Sequence, residues 1–252
     1  MIAISKKRDS DLLLTALVIM GILIQFGLGV AQTPPPDSTD IQRAKVRALM
    51  ERFRFRFGYG GGAGVQRDGR IIGLERLELN IGLTSRDPVE RIYQFLERHE
   101  DLFGMQNPRQ ELVLRGNGFR GNSGRVRFEQ VVGEIPVRHG FFDFMLEADS
   151  GGPTISSLQN NYYPAARDVN TSPSITMEQA EQIALADTAH EGKSTAIYGT
   201  PQLMIADVEE ALHLVWYLDV DGGGYMGASH YLIDAHTGQV LYVRSSIKTD
   251  FR

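Results

Sequence analysis

The chain contains no cysteine. Disulfides, thiolate zinc sites and cysteine nucleophiles are therefore excluded. The signatures of several other chemistries are missing too. Two His-Glu pairs, His99-Glu100 and His190-Glu191, raise the question of a zinc protease. A helical zinc site needs a second histidine four residues after the first, on the same face. Those positions hold Phe103 and Ser194, so neither site can be built. No Gly-x-Ser-x-Gly elbow occurs, which removes the usual hydrolase nucleophile. "GYGGGAG" (58–64) has no Gly-Lys-Ser/Thr and leads into no helix start, so it is not a phosphate loop. It reads as a hairpin loop. "DVDGGG" (219–224) lacks the third acid and the distant glutamate of a calcium loop and reads as a hairpin turn.

What is present is a globular composition with an uneven charge. Of 252 residues, 42% are hydrophobic and 23% charged, which suffices for a packed core. Net charge is only −5, but the two ends differ. Residues 43–76 hold nine Arg or Lys against three acids, Glu51, Asp68 and Glu75. Residues 177–238 hold ten acids against one base, Lys193. Such asymmetry points to charged partner surfaces.

The N-terminus carries Lys6, Lys7 and Arg8, then an apolar run over 12–31 that closes on Gly29-Val30-Ala31. Residues 1–31 are thus expected to be a signal peptide, with an uncleaved anchor as the rival. Either way the remainder is exported, to the cell envelope or beyond. The "TPPPDSTD" stretch (33–40) is an extended spacer. A short helix is expected at 41–52. "RFRFRF" (52–57) alternates as a strand does, with Phe53, Phe55 and Phe57 on one face. Interleaved basic and aromatic residues also suit nucleic acid. An exported, acidic chain favours the half-buried strand.

A strand is expected at 71–81, then a helix. Asp87 can cap it, Pro88 suits its first turn and Glu90 completes a capping-box pattern. Val89, Ile92, Tyr93 and Leu96 form its apolar stripe, and it should run to Leu102 and stop near Gly104. Strands are expected at 111–115, 125–132, 137–148 and 154–162. "DVNTSP" (168–173) is the best internal boundary. A second helix follows, with Thr176 and Gln179 as a capping box and Ala180, Ile183, Ala184 and Asp187 marking its faces. Strands should follow at 202–208, 212–220, 228–235 and 239–245. Helix then strands, twice over, is an α+β protein of two similar modules.

His230, Asp234 and His236 would share one face if their strand ran straight, and two imidazoles with a carboxylate can hold a metal. Thr237 and Gly238 instead favour a turn after Ala235. Asp234 would then accept backbone donors and Gly238 would take a positive φ.

"GRVRFEQVVGEIPVRHGFFDFMLEADSG" resembles the propeptide core of thermolysin-family zinc metalloproteases, the fungalysin/thermolysin propeptide motif. The matching residues are Arg125, Arg127, Phe128, Gln130, Gly133, Ile135, Pro136, Val137 and Gly140. "FLERHEDLFGM" is similar to the helix of that module. "SITMEQAEQIALAD" and "YLIDAHTGQVLY" resemble the helix and closing hairpin of a PepSY domain. The match spans about 70–247.

The resemblance implies two small cystatin-like modules, each a helix on a curved antiparallel sheet. The expected division is 1–31 leader, 32–69 spacer and basic Gly-rich section, 70–167 propeptide module, 168–247 PepSY-like module and 248–252 tail. It implies a non-catalytic, exported inhibitor and folding chaperone of a thermolysin-like metalloendopeptidase, with no cofactor and no nucleic acid. The alternatives are the pro-region of a precursor whose catalytic domain lies outside this chain, and a stand-alone envelope binding module. The enzyme half of such precursors follows the closing hairpin, and this chain ends at Arg252. The tail Ser245, Ser246, Ile247, Lys248, Thr249, Asp250, Phe251 and Arg252 is expected to meet the partner's cleft. Arg127, Gln130, Pro136 and Asp234, with Phe128, Gly133, Val137, Gly140, His236 and Gly238, are expected to shape the modules. The acidic second module suits a basic or calcium-bearing partner surface.

Overall fold

A computed structural model describes residues 48, 51, 62–65, 70–75, 83–189, 196–221 and 228–245. The expected leader, the spacer, "RFRFRF", His190, the turn after Asp221 and the tail from Ser246 onward lie outside the described residues. Ala48 and Glu51 are helical, within the helix expected at 41–52. Among the described residues, no helix is long and apolar enough to cross a membrane.

Six antiparallel strands make the first sheet: β1 (Gly62–Val65), β2 (Ile71–Glu75), β3 (Leu112–Asn117), β4 (Ser123–Val132), β5 (Ile135–Asp149) and β6 (Gly152–Asn160). Their spatial order is β1-β2-β6-β5-β4-β3. The expectation of a loop over 58–64 fails at its end, because residues 62–64 pair with β2. Backbone pairing needs no side chains, and β2 otherwise presents a free edge. Among the described residues, the sheet therefore starts at Gly62.

Helix α1 (Pro88–Arg98) covers one face of this sheet. Its start is half of the expected capping box. Asp87 Oδ1 accepts from Glu90 N at 2.7 Å, but Asp87 N donates to Ser85 Oγ at 3.1 Å. The Glu90 carboxylate turns away to Arg109. The single helix expected to reach Leu102 is broken at His99, which leaves helical backbone (φ −124°) before α2 (Glu100–Phe103). A short α3 (Pro108–Glu111), capped by Asn107, was not foreseen.

Ile92, Phe95 and Leu96 on α1 are fully buried against Phe128, Phe142, Phe144 and Leu158 of the sheet. Phe95 meets Phe144 edge-on at 6.1 Å between ring centroids. Burial of each such side chain contributes about 2 kcal/mol. Alternation along β4 sends Val126 and Phe128 into this core and Arg125 and Arg127 to the opposite face.

The second module repeats the plan. Helix α4 (Met177–Ala189) opens on a complete capping box: Thr176 N donates to Gln179 Oε1 (2.8 Å) and Gln179 N to Thr176 Oγ1 (3.3 Å). Four antiparallel strands follow in order, β7 (Ala196–Val208), β8 (Ala211–Asp221), β9 (Ala228–Asp234) and β10 (Val240–Ser245). Ala180 and Ala184 of α4 pack on Leu218, Val220, Tyr231 and Ile233. The molecule is α+β, with a helix on an antiparallel sheet twice over. One feature was outside the expectation: β5 and β7 run parallel, with Val137 opposite Ile205, and join the two sheets.

Candidate functional site: the joint and cleft between the modules

The joint forms where β4, β5 and the exit of β6 converge. Gln130, buried on β4, spans it with both ends of its amide. Nε2 donates to Tyr163 O at 2.9 Å, and Oε1 accepts from Tyr163 N at 2.9 Å. A side chain thus pairs with backbone as a neighbouring strand would, and satisfies two groups at once. Gly140 makes room for it. A Cβ at that position would lie 2.9 Å from both Gln130 Cβ and Oε1, and 3.0 Å from Val137 Cβ. His139 just before it has φ +61°, and its carbonyl accepts from Asn161 Nδ2 at 2.9 Å. Gln130, Val137 and Gly140 of the propeptide-like motif therefore meet at one place.

The other motif residues lie around them. Phe128 is in the first core, Gly133 turns the β4–β5 hairpin with φ +61°, and Pro136 sits opposite Val131. Arg127 faces away from α1 and donates to the buried Asp143 at 3.3 Å. It also stacks over the Phe141 ring at 4.5 Å. Asp143 receives Arg125 as well, through both carboxylate oxygens. Below the joint, Val137, Ala166, Ile205, Leu214 and Ala235 form a buried cluster that binds first module to second.

Beside the joint opens a cleft of about 1220 Å³. One wall is the segment after β6, from Tyr163 through the 3-10 helix Pro164–Asp168 to Asn170, with Arg70 beside it. This wall is anchored. Arg167 donates to Gly104 O and Pro164 O, and the Tyr162 hydroxyl donates to Glu111. Burial, helped by the Glu111 carboxylate, raises the Tyr162 phenol well above the usual tyrosine range. The other wall is the β7–β8 hairpin with Asp207, Glu210, Leu212 and His213, completed by Asp234 and His236.

Asp234 and His236 belong to a turn there. Asp234 Oδ1 accepts from His236 N (2.9 Å), Thr237 N (2.8 Å) and Thr237 Oγ1 (3.0 Å). Its Oδ2 lies 3.2 Å from His213 Nδ1. Burial alone would push this carboxyl up. The donors from Thr237, His236 and His213 outweigh burial and hold it below the usual carboxylate range. Gly238 closes the turn with φ +76° and returns its N–H to Asp234 O at 2.9 Å. His236 Nε2 reaches Asn170 O at 3.1 Å and ties the turn to the opposite wall. His230 lies at the other end of β9, against Tyr217 and Asp219. Burial and the Asp219 carboxylate raise the Tyr217 phenol to about 12. Among the described residues, no cluster of three or more His, Cys, Asp or Glu is placed to hold a metal.

His213 belongs to the site and was not foreseen. Its partner is set by the register that puts Val215 opposite Asp234, and a sequence does not print that register. The β7–β8 loop falls between the strands expected at 202–208 and 212–220, but its turn conformation was not foreseen. Glu209 and Glu210 form a two-residue connection with φ +53° and +68°, values that normally select Asn-Gly. Of the expected contact tail, Ser245 ends β10, and the rest lies outside the described residues.

No family model matches the chain, and no curated protein matches it. Among solved structures it is similar to the Bacillus megaterium YpeB C-terminal domain, at 11% identity and a TM-score of 0.33, over 84% of this chain and 98% of that one. It is also similar to a Clostridium difficile 630 protein described as a lipoprotein, at 14% identity and a TM-score of 0.26, over 64% and 94%. Likeness at this level carries no functional argument.

Proposed function

We propose that this chain is an extracytoplasmic, non-catalytic binding protein of the propeptide type, which inhibits a thermolysin-like zinc metalloendopeptidase and assists its folding. The observation that carries the reading is the meeting of Gln130, Val137 and Gly140 at the joint. These residues resemble the propeptide pattern: Gln130 fixes the segment that leaves β6, Gly140 makes room for it, and Val137 packs into the cluster shared with the second module. A folding template must present a preformed surface, because ordering that surface on binding would consume the binding free energy. The two-ended bond from Gln130 to Tyr163 and the shared apolar cluster supply that rigidity.

A template of this kind acts by binding the native enzyme and not its unfolded chain, which favours the native state by mass action. The second module follows the order expected of a PepSY domain, helix then four-stranded meander. Asp234 and Gly238 serve its closing turn. Titration of the purified protein against a thermolysin-like enzyme tests the reading. Slow, tight inhibition is expected. Full activity at micromolar excess of this chain would leave only a fold without the proposed partner.

A further inference from the structure

We propose that the cleft between the modules docks an extended basic segment of a partner protein. Asp207 and Glu210 on one wall and Asp168 on the other receive its guanidinium or ammonium groups. The inference rests on reading the chain as a binding protein, and it names the surface used and the chemistry that surface takes.

Three observations support it. First, at about 1220 Å³ the cleft exceeds the range of about 300–1,000 Å³ typical of small-molecule pockets, and its lining comes from both modules. That size suits a peptide segment. Second, the cleft already holds a guanidinium. Arg70 lies over the Tyr163 ring at 4.6 Å and donates to Tyr162 O at 3.3 Å. Aromatic faces and carbonyls are the surfaces on which arginine is held when desolvated. Third, the charge is complementary. Asp168, Asp207 and Glu210 are exposed at the cleft, whereas Asp234 is consumed by its turn. Leu212 lies among them and offers apolar surface to the stem of a lysine or arginine. The ten acids against one base over 177–238, Asp207, Glu210 and Asp234 of the cleft among them, would steer a cationic segment toward it.

The partner is another protein. The basic residues of 43–56 precede β1, and Gly62 at the start of that strand pairs with Glu75, while Val65 pairs with Ile71 beside Arg70. The chain therefore enters the hairpin at the end far from the cleft.

The test is an anisotropy titration of the full chain with a fluorescein-labelled peptide of alternating arginine and serine. Micromolar binding that weakens at least tenfold with added salt is expected. D207N/E210Q should weaken binding at least tenfold. E178Q/E181Q, which removes the same charge from α4, should change it less than twofold. Unchanged thermal unfolding of both variants keeps the comparison clean. The proposal is overturned by no binding, or by equal losses in the two variants, which would mean a diffuse field. It is overturned as well if replacing Arg52, Arg54 and Arg56 with Gln tightens binding, or if a dimer dissociates as the peptide binds. Those results would give the cleft to the chain itself or to a second copy. Protease inhibition without peptide binding would sink the cleft and spare the proposed function. Peptide binding without inhibition would do the reverse.

Discussion

Gln130 is bonded at both ends of its side-chain amide to the backbone of Tyr163, with 2.9 Å at each contact. One residue on β4 thereby fixes the segment that forms a wall of the inter-module cleft. Replacing Gln130 with Ala breaks both bonds and strands an N–H and a carbonyl. The expected cost is about 2 kcal/mol, read from the urea midpoint. Gly140→Ala should cost about 1–3 kcal/mol by overpacking against the same amide. The double variant should lose less than the sum, because Ala at 130 removes the Oε1 that the new methyl would strike.

The Glu209-Glu210 loop is strained where Asn-Gly would not be. Non-glycine residues at positive φ cost about 1–2 kcal/mol each. E209N/E210G should therefore raise stability by about 1–2 kcal/mol in thermal or urea unfolding. If Glu210 serves the cleft, the same variant should weaken binding of the basic peptide. A gain in stability with a loss of binding is the expected pair of results.

Asp234 is structural. Asp234→Ala removes four hydrogen bonds and should cost about 3 kcal/mol. A metal chelator should leave the unfolding midpoint of the parent and the variant unchanged. Gly238→Ala should cost about 1–2 kcal/mol, since its φ of +76° is unfavourable for alanine and its methyl would meet Ile183 Cδ1 at 3.1 Å.

The same carboxylate sets a pH dependence. Its folded pKa lies below the unfolded value of about 3.9. Its contribution is therefore complete above the unfolded value and is lost as pH falls through the lower, folded one. Asp234→Asn should lose less stability than the parent on acidification below about pH 4. Parallel unfolding curves at successive pH values check the sign.

Local signals in the sequence carried much of this. Asp87-Pro88, Thr176 with Gln179, and Gly238 after Asp234 each state a cap or a turn within a few residues, and each is found. The strand expected at 125–132 is found, and it turns Phe128 inward and Arg127 outward. What was not legible depends on register between distant strands. His213 meets Asp234 across 21 residues, and Val137 meets Ile205 in the parallel junction. The break at His99 was hidden because the residues around it are good helix formers. The positive-φ turn of the Glu-Glu loop was hidden because its residues contradict their own geometry.

The central claim is that this two-module body binds a thermolysin-like metalloendopeptidase. The most direct measurement is enzyme activity against increasing concentrations of the purified chain, followed over time. Slow-onset inhibition in the nanomolar range, weakened by Gln130→Ala, is the predicted result. Undiminished activity at micromolar concentration, with no complex in a binding assay, would contradict it.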